Sequence, residues 1–337
     1  MKPSFFSLGL FAVFILLKMT QPGWSLPEEP EVLKGLAFSD PDAILEQTEE
    51  WKRQPIRHQE SDRGVEVALL LDQNIHPGLR PLVEEFSRNH GIRVSVREGT
   101  CGPAAEGIRR KEVDIGGSCC PAGIMDRLPG LRWHTIGISP MAILVHASDP
   151  VESLPAATIR DIFRGTLTRW GQIPGVGEHF PRDSIIRPVT RLHCKTRPGH
   201  WRLILDNEDL FGPRVKEVGT ILDMVISVAN NHGSIGYLEN WEIINDPKYR
   251  TSVRAIRVDD RDPHDPKAVA SGKYPFYWVY NVSTWTSAAT ANPKAQELVR
   301  FLLAQAHRIN PEHHVVPASE LKKQGWKFKD DELIGAP

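Results

Sequence analysis

Four cysteines carry the most reactive side chains of this 337-residue chain: Cys101, the adjacent Cys119 and Cys120, and Cys194 beside His193. Thiolate sulfur and imidazole nitrogen suit copper(I), zinc, mercury and trivalent arsenic better than they suit hard oxygen-loving ions. None of the spacings is a zinc pattern such as two CxxC pairs, so a metal would have to be gathered from distant segments. A CxxC redox motif is absent, and adjacency alone does not make His193 the base for a Cys194 nucleophile. An even cysteine count in an exported chain is equally compatible with disulfides.

Export is expected from the first segment. Lys2 provides a positive start, the run 8–17 (LGLFAVFILL) is apolar, and Gly23 and Ser25 place small residues at a cleavage site. The run is short for a bilayer span, which needs about 20 residues. Residues 1–25 therefore read as a cleaved signal peptide, and the mature chain as periplasmic or secreted. Hydrophobic residues make up 40% and charged residues 25%, the composition of a globular chain. With 41 Lys+Arg against 42 Asp+Glu, no basic field exists to hold nucleic acid, and none is expected as a partner.

Residues 26–64 are polar and rich in Glu and Pro, an N-terminal extension with one amphipathic stretch at 41–51. From Val65 the pattern changes to strands alternating with helices. Strands are expected at 65–71, 92–96, 113–116, 141–146, 186–189, 234–237, 253–258 and 276–282. Helices are expected at 77–90, 104–110, 156–163, 198–205, 215–230 and 294–305. Such alternation implies an α/β chain with largely parallel sheets, whose ligands bind in loops at the carboxyl ends of strands. The run Arg109-Arg110-Lys111 reads as a solvated helix face, His313-His314 as surface, and Asn281-Val282-Ser283 as a chance glycosylation sequon.

Six motifs in register resemble the phosphate-binding family of ABC-transporter periplasmic proteins. Residues 139–170 (SPMAILVHASDPVESLPAATIRDIFRGTLTRW) resemble that family's lobe crossing and its DIF-G-T-W turn. GSIGY at 233–237, GKYP at 272–275, VDIGGSCCP at 113–121 and His76-Pro77 resemble further family segments. The resemblance implies a type 2 periplasmic binding protein: two α/β lobes joined by a two-strand hinge, with ligand in the cleft. Lobe one would comprise 65–144 and 273–337, and lobe two 145–272.

The resemblance also places the cleft loops, and there the chain departs from the family. The first is Asp72-Gln73-Asn74-Ile75-His76 and the second Gly99-Thr100-Cys101-Gly102. In the third, Gly117-Ser118-Cys119-Cys120, Cys119 falls at the family's acceptor Asp. The fourth, Arg191-Leu192-His193-Cys194-Lys195-Thr196, keeps the family's Arg as Arg191 but loses its GSGT pattern. All four cysteines thus fall in expected cleft loops. Asn74, Thr100, Cys101, Ser118, Cys119, Arg191, His193, Cys194 and Thr196 are the expected ligand contacts. Cys101, Cys119, Cys120 and Cys194, with His76 and His193, form a hypothetical metal set. Arg191, Lys195 and helix N-termini are expected to lower the thiol pKa values, and adjacent Cys119 and Cys120 to need local distortion before both could ligate.

Three functions stay open at this point. The first is an exported solute-binding receptor for a soft metal or metalloid, with that ion as ligand rather than resident cofactor. The second is a phosphate or related oxyanion receptor whose cysteines are braced as disulfides, Cys101 with Cys119 or Cys120 and the remaining one with Cys194. The third is a thiol redox protein. A non-enzymatic monomer is expected, docking on an ABC permease or on a sensor kinase.

Overall fold

A computed structural model of the chain describes residues 38–181, 183–192, 204–205, 208–238 and 240–337. The expected signal at 1–25 lies outside them, as do His193, Cys194, Lys195, Thr196 and most of the helical stretch expected at 198–205. No helix among the described residues is long and apolar enough to cross a membrane.

Among the described residues a short helix α1 (Glu49–Arg53) comes first, followed by a first lobe. Its elements are β1 (Val67–Asp72), α2 (His76–His90), β2 (Val94–Gly99), α3 (Cys101–Arg109), β3 (Ile115–Ser118) and β4 (Leu131–Pro140). Every residue of β1 is buried, as expected of a central parallel strand covered on both faces. On α2, Leu79, Leu82, Val83 and Phe86 recur at helical spacing and turn inward.

The second lobe follows with β5 (Ala142–His146), β6 (Ser153–Leu154), α4 (Ala156–Arg164), β7 (Arg187–Thr190), β8 (Lys216–Glu217), α5 (Ile221–Ala229), β9 (Ser234–Leu238), α6 (Trp241–Asn245), β10 (Val253–Val258) and α7 (Pro266–Ala270). The chain then returns to the first lobe through β11 (Tyr277–Trp285), α8 (Pro293–Gln305), β12 (Val316–Pro317) and α9 (Ala318–Lys323), and ends in a hairpin, β13 (Lys327–Lys329) and β14 (Glu332–Gly335).

The two six-stranded sheets run β12-β4-β11-β3-β1-β2 and β6-β10-β5-β9-β7-β8. In the first, β3, β1 and β2 are parallel, and their carboxyl ends point the loops at 72–76, 99–102 and 117–120 the same way. The two crossing segments meet where Met141 N donates to Phe276 O at 2.9 Å and the Tyr274 hydroxyl donates to Met141 O at 2.9 Å. This is the α/β architecture with a two-strand hinge expected from the motifs.

Several local expectations fail for identifiable reasons. The ten-residue β4 was not expected from its sequence; it pairs along its length with β11, so tertiary pairing supplies what alternation did not show. The helix expected at 215–230 starts only at Ile221, because Lys216–Glu217 pairs with β7 and Thr220 then caps the helix. The stretch at 41–51 contributes only the single turn of α1. The sequon lies inside β11 with Asn281 and Ser283 buried, so it offers no acceptor site in the folded chain.

Lys111 is not solvated but 2% exposed. Its Nζ donates to the carbonyls of Trp51 and Gln54, at 2.5 and 2.8 Å, and sits over the Trp51 ring. A buried ammonium is tolerated here because main-chain oxygens replace its water. Lys111 thereby pins the N-terminal extension to the first lobe.

His313-His314 is likewise not plain surface. His313 is buried, with Nε2 3.7 Å from Glu242, and the His314 ring packs edge-on against Trp241 and His264, so first- and second-lobe residues meet. Burial, helped by neighbouring His264 and His313, pulls His314 down to about 4, against the opposing pull of Asp262 and Glu312. Burial also lowers His76, His134 and His313. Groups held below their ordinary 6.5 stay neutral in the folded chain while the unfolded chain takes up protons. Stability is therefore expected to be full above pH 6.5 and to fall as pH drops toward about 4. Melting temperature against pH checks this, and His314→Asn should flatten part of the slope.

Candidate functional site

Three of the expected loops converge at the carboxyl ends of β1, β2 and β3. β1 ends in Asp72, a fully buried carboxylate. Its Oδ1 accepts from Asn74 N at 2.9 Å, which turns the chain into α2. Its Oδ2 accepts from Cys101 Sγ at 3.0 Å. Cys101 opens α3, three residues before the expected start of that helix, with Thr100 at the N-cap position. The Thr100 hydroxyl does not cap, and Thr100 is exposed.

β3 brings the other two sulfurs. A Cβ on Gly117 would lie 2.5 Å from Leu71 Cδ2 and 2.6 Å from Ile75 Cδ1, so glycine lets β3 press against β1 just before the cysteine turn. The Ser118 hydroxyl accepts from Cys120 N at 3.2 Å and bends the chain out of the strand. β11 holds the turn from the other side: Val279 N donates to Cys119 O at 3.1 Å and Asn281 Nδ2 to Cys120 O at 3.2 Å.

The result places Cys101 Sγ 3.6 Å from Cys119 Sγ, and Cys119 Sγ 3.8 Å from Cys120 Sγ. The Ser118 turn answers the concern over adjacent cysteines, since it lets both sulfurs face one point. All three are buried, and their ligand atoms lie within 4.8 Å of one another. A disulfide requires sulfurs about 2.05 Å apart, so no bridge joins these three here. For comparison, Zn–S bonds of about 2.3 Å set tetrahedral sulfurs about 3.8 Å apart.

The expected lowering of the thiol pKa does not hold for Cys119. The bond with Cys101 draws its thiol down, but contact with Cys120, burial and the Asp72 carboxylate outweigh it and hold it well above its ordinary value. The larger raising causes are the contact with Cys120 and burial, and the Asp72 carboxylate adds to them. Asp72 was overlooked as a site residue, although a charge closing an apolar run such as VALLLD is a costly placement that signals a role.

The other expected residues divide clearly. His76 turns toward Glu98, with Nδ1 3.2 Å from Oε2, and does not join the sulfur group. Arg191 is buried, and its backbone N donates to the Tyr237 hydroxyl at 3.1 Å. Asn74 lines the narrow gap between the lobes together with Asn240, Trp241, Trp278, Tyr280 and His313. This gap is shut tight, with no room for a water molecule. Trp278 Nε1 and the Tyr280 hydroxyl are buried at its wall with no hydrogen-bond partner among the described residues. Burial, with Glu242 and Cys119 adding to it, pushes the Tyr280 phenol up and keeps it a neutral donor.

A family model described as a PBP superfamily domain matches residues 59–306. The chain belongs to the PBP superfamily. Among solved structures, an ABC-type phosphate transport receptor from Vibrio cholerae is similar with a TM-score of 0.59 at 19% identity, covering 74% of this chain and 99% of that one. A putative phosphate ABC transporter substrate-binding protein from Clostridium perfringens, solved with bound phosphate, gives a TM-score of 0.60 at 18% identity, covering 74% and 98%. The resemblance and the fold read from the motifs are both borne out. Within this PBP superfamily fold, the cluster of Asp72, Cys101, Cys119 and Cys120 occupies the strand-end position from which ligand loops project.

Proposed function

We propose that this chain is an exported solute-binding receptor that takes a thiophilic ion, of the zinc, copper(I), mercury or trivalent arsenic class, on Cys101, Cys119 and Cys120. The observation that carries the reading is the spacing of the sulfurs: 3.6 and 3.8 Å, from two different loops, around one point. Three thiolates make a trigonal or incomplete tetrahedral set, which leaves a position for a fourth ligand. Asp72 accepts a hydrogen bond from Cys101 and is placed to take up that proton when the sulfur binds an ion. Opening at the hinge would admit the ion, and closure would let either an ABC permease or a sensor domain read the loaded form.

The phosphate receptors above are similar in fold, and fold alone does not carry a ligand across. The oxyanion reading would also place a buried carboxylate, Asp72, beside the anion. Equilibrium dialysis of the reduced protein against zinc, arsenite and phosphate separates the two. A tightly held equivalent of zinc or arsenite that C119S loses is expected; retention of phosphate alone would overturn the proposal.

A further inference from the structure

We infer that the second lobe carries a separate site for a borderline divalent cation of the zinc class, built from His146, Asp149 and His232. Among the described residues, these three and the cysteine trio are the two groups whose ligand atoms lie within 4.8 Å of one another. The inference does not depend on the cysteine site, because the two lie in different lobes. His146 ends β5, and His232 lies just before β9. β9 runs parallel to β7, so its first residues are at the end opposite the loops that follow these strands, about 13 Å away along four residues.

The three donors come from segments that the fold fixes independently. Asp149 follows β5 in a turn, with its N–H donating to His146 O at 3.0 Å. Its carboxylate is 4% exposed, with Oδ2 accepting from Gly233 N at 2.7 Å and Oδ1 standing 3.2 Å from His232 Nδ1. Gly233 makes this approach feasible. It has φ +74°, and a Cβ there would lie 2.7 Å from Ile185 O. Two cations, Arg187 and Arg254, stand nearby. Arg187 Nη1 donates to His232 O at 2.9 Å and Arg254 Nη2 to Asp149 O at 2.7 Å. Both thus brace the main chain that presents the donors.

The histidine rings lie tilted at 44° with centroids 4.0 Å apart, and the Ser148 hydroxyl lies 2.9 Å from His146 Nδ1 and 3.2 Å from His232 Nδ1. Two imidazoles and a carboxylate form a three-ligand set that leaves a coordination position open. His232 is 73% exposed and borders an open hollow that also contains His179 and Asp183, so an ion can enter from solvent without lobe opening. Ligation needs neutral imidazoles, so acid would release the ion.

The test is zinc titration of the untagged, reduced protein by calorimetry and native mass spectrometry. Three proteins are compared: wild type, H146N/H232N, and C101S/C119S/C120S. Wild type is expected to bind two equivalents, the histidine variant one and the serine variant one. Zinc X-ray absorption of the serine variant should show only nitrogen and oxygen neighbours. Should the triple serine variant fail to fold, C119S takes its place. Unchanged zinc stoichiometry in H146N/H232N would overturn the inference. Loss of all zinc in H146N/H232N with none lost in the serine variant would instead remove the cysteine reading and leave this one standing.

Discussion

Cys119→Ser is expected to weaken zinc or arsenite binding at least about 100-fold, because even outer-shell partners of a metal are commonly worth 10–100-fold. Cys119 is the central sulfur of the trio, within 3.6 Å of Cys101 and 3.8 Å of Cys120. Serine keeps the size but offers a hydroxyl that is a poor ligand for a soft ion. Its smaller atom is accommodated in a pocket already containing hydrogen-bond partners, so the melting temperature should move little. Equilibrium dialysis paired with thermal melts separates loss of the site from loss of the fold. The pH dependence gives a second readout. Cys119 is held above its ordinary pKa, so an ion must displace a proton to bind, and affinity should rise with pH. Wild-type binding that is independent of pH, or Cys119→Ser binding equal to wild type, would contradict ligation by this sulfur.

Glu332→Ala is expected to lower stability by about 3–5 kcal/mol, the usual cost of stranding one partner of a buried ion pair. Arg127 and Glu332 are both buried and bonded twice, Nη1 to Oε2 at 2.8 Å and Nη2 to Oε1 at 2.6 Å. Arg127 also donates to the Ser39 hydroxyl and carbonyl at 2.9 and 3.0 Å. The pair therefore clamps the N-terminal extension and the C-terminal hairpin to the first lobe. Removing the carboxylate leaves a guanidinium with only neutral partners, whereas Arg127→Met with Glu332→Leu removes both charges and should recover much of the loss. Denaturant unfolding of the single and double variants measures the difference.

The closed gap links the two lobes to the cysteine site. Trp278 and Tyr280 stack on one face of β11 at 4.6 Å, and Val279 between them holds the Cys119 carbonyl. β11 thus lines the gap with Trp278 and Tyr280 and holds the sulfur turn through Val279. Buried donors at the gap wall are costly unless hydrogen-bonded.

Much of the architecture was legible from residue order. The apolar run VALLLD, the helical spacing of Leu79, Leu82, Val83 and Phe86, and the strand at 253–258 follow from local periodicity, which is a property of neighbours in sequence. The motifs that placed the hinge and the cleft loops act at the same local scale. β4 was not legible, because its partners β11 and β12 lie more than a hundred residues away. Nor were the burial of Lys111 and His313, since each depends on which distant segment covers it. Residue types alone established that sulfur chemistry was available at Cys101, Cys119 and Cys120. Whether those sulfurs would share one point and lie beside Asp72, and whether the Cys119 thiol would be pushed up, was decided by the packing of β3 between β1 and β11. Distances between side chains, and the dielectric around them, depend on all the strands at once.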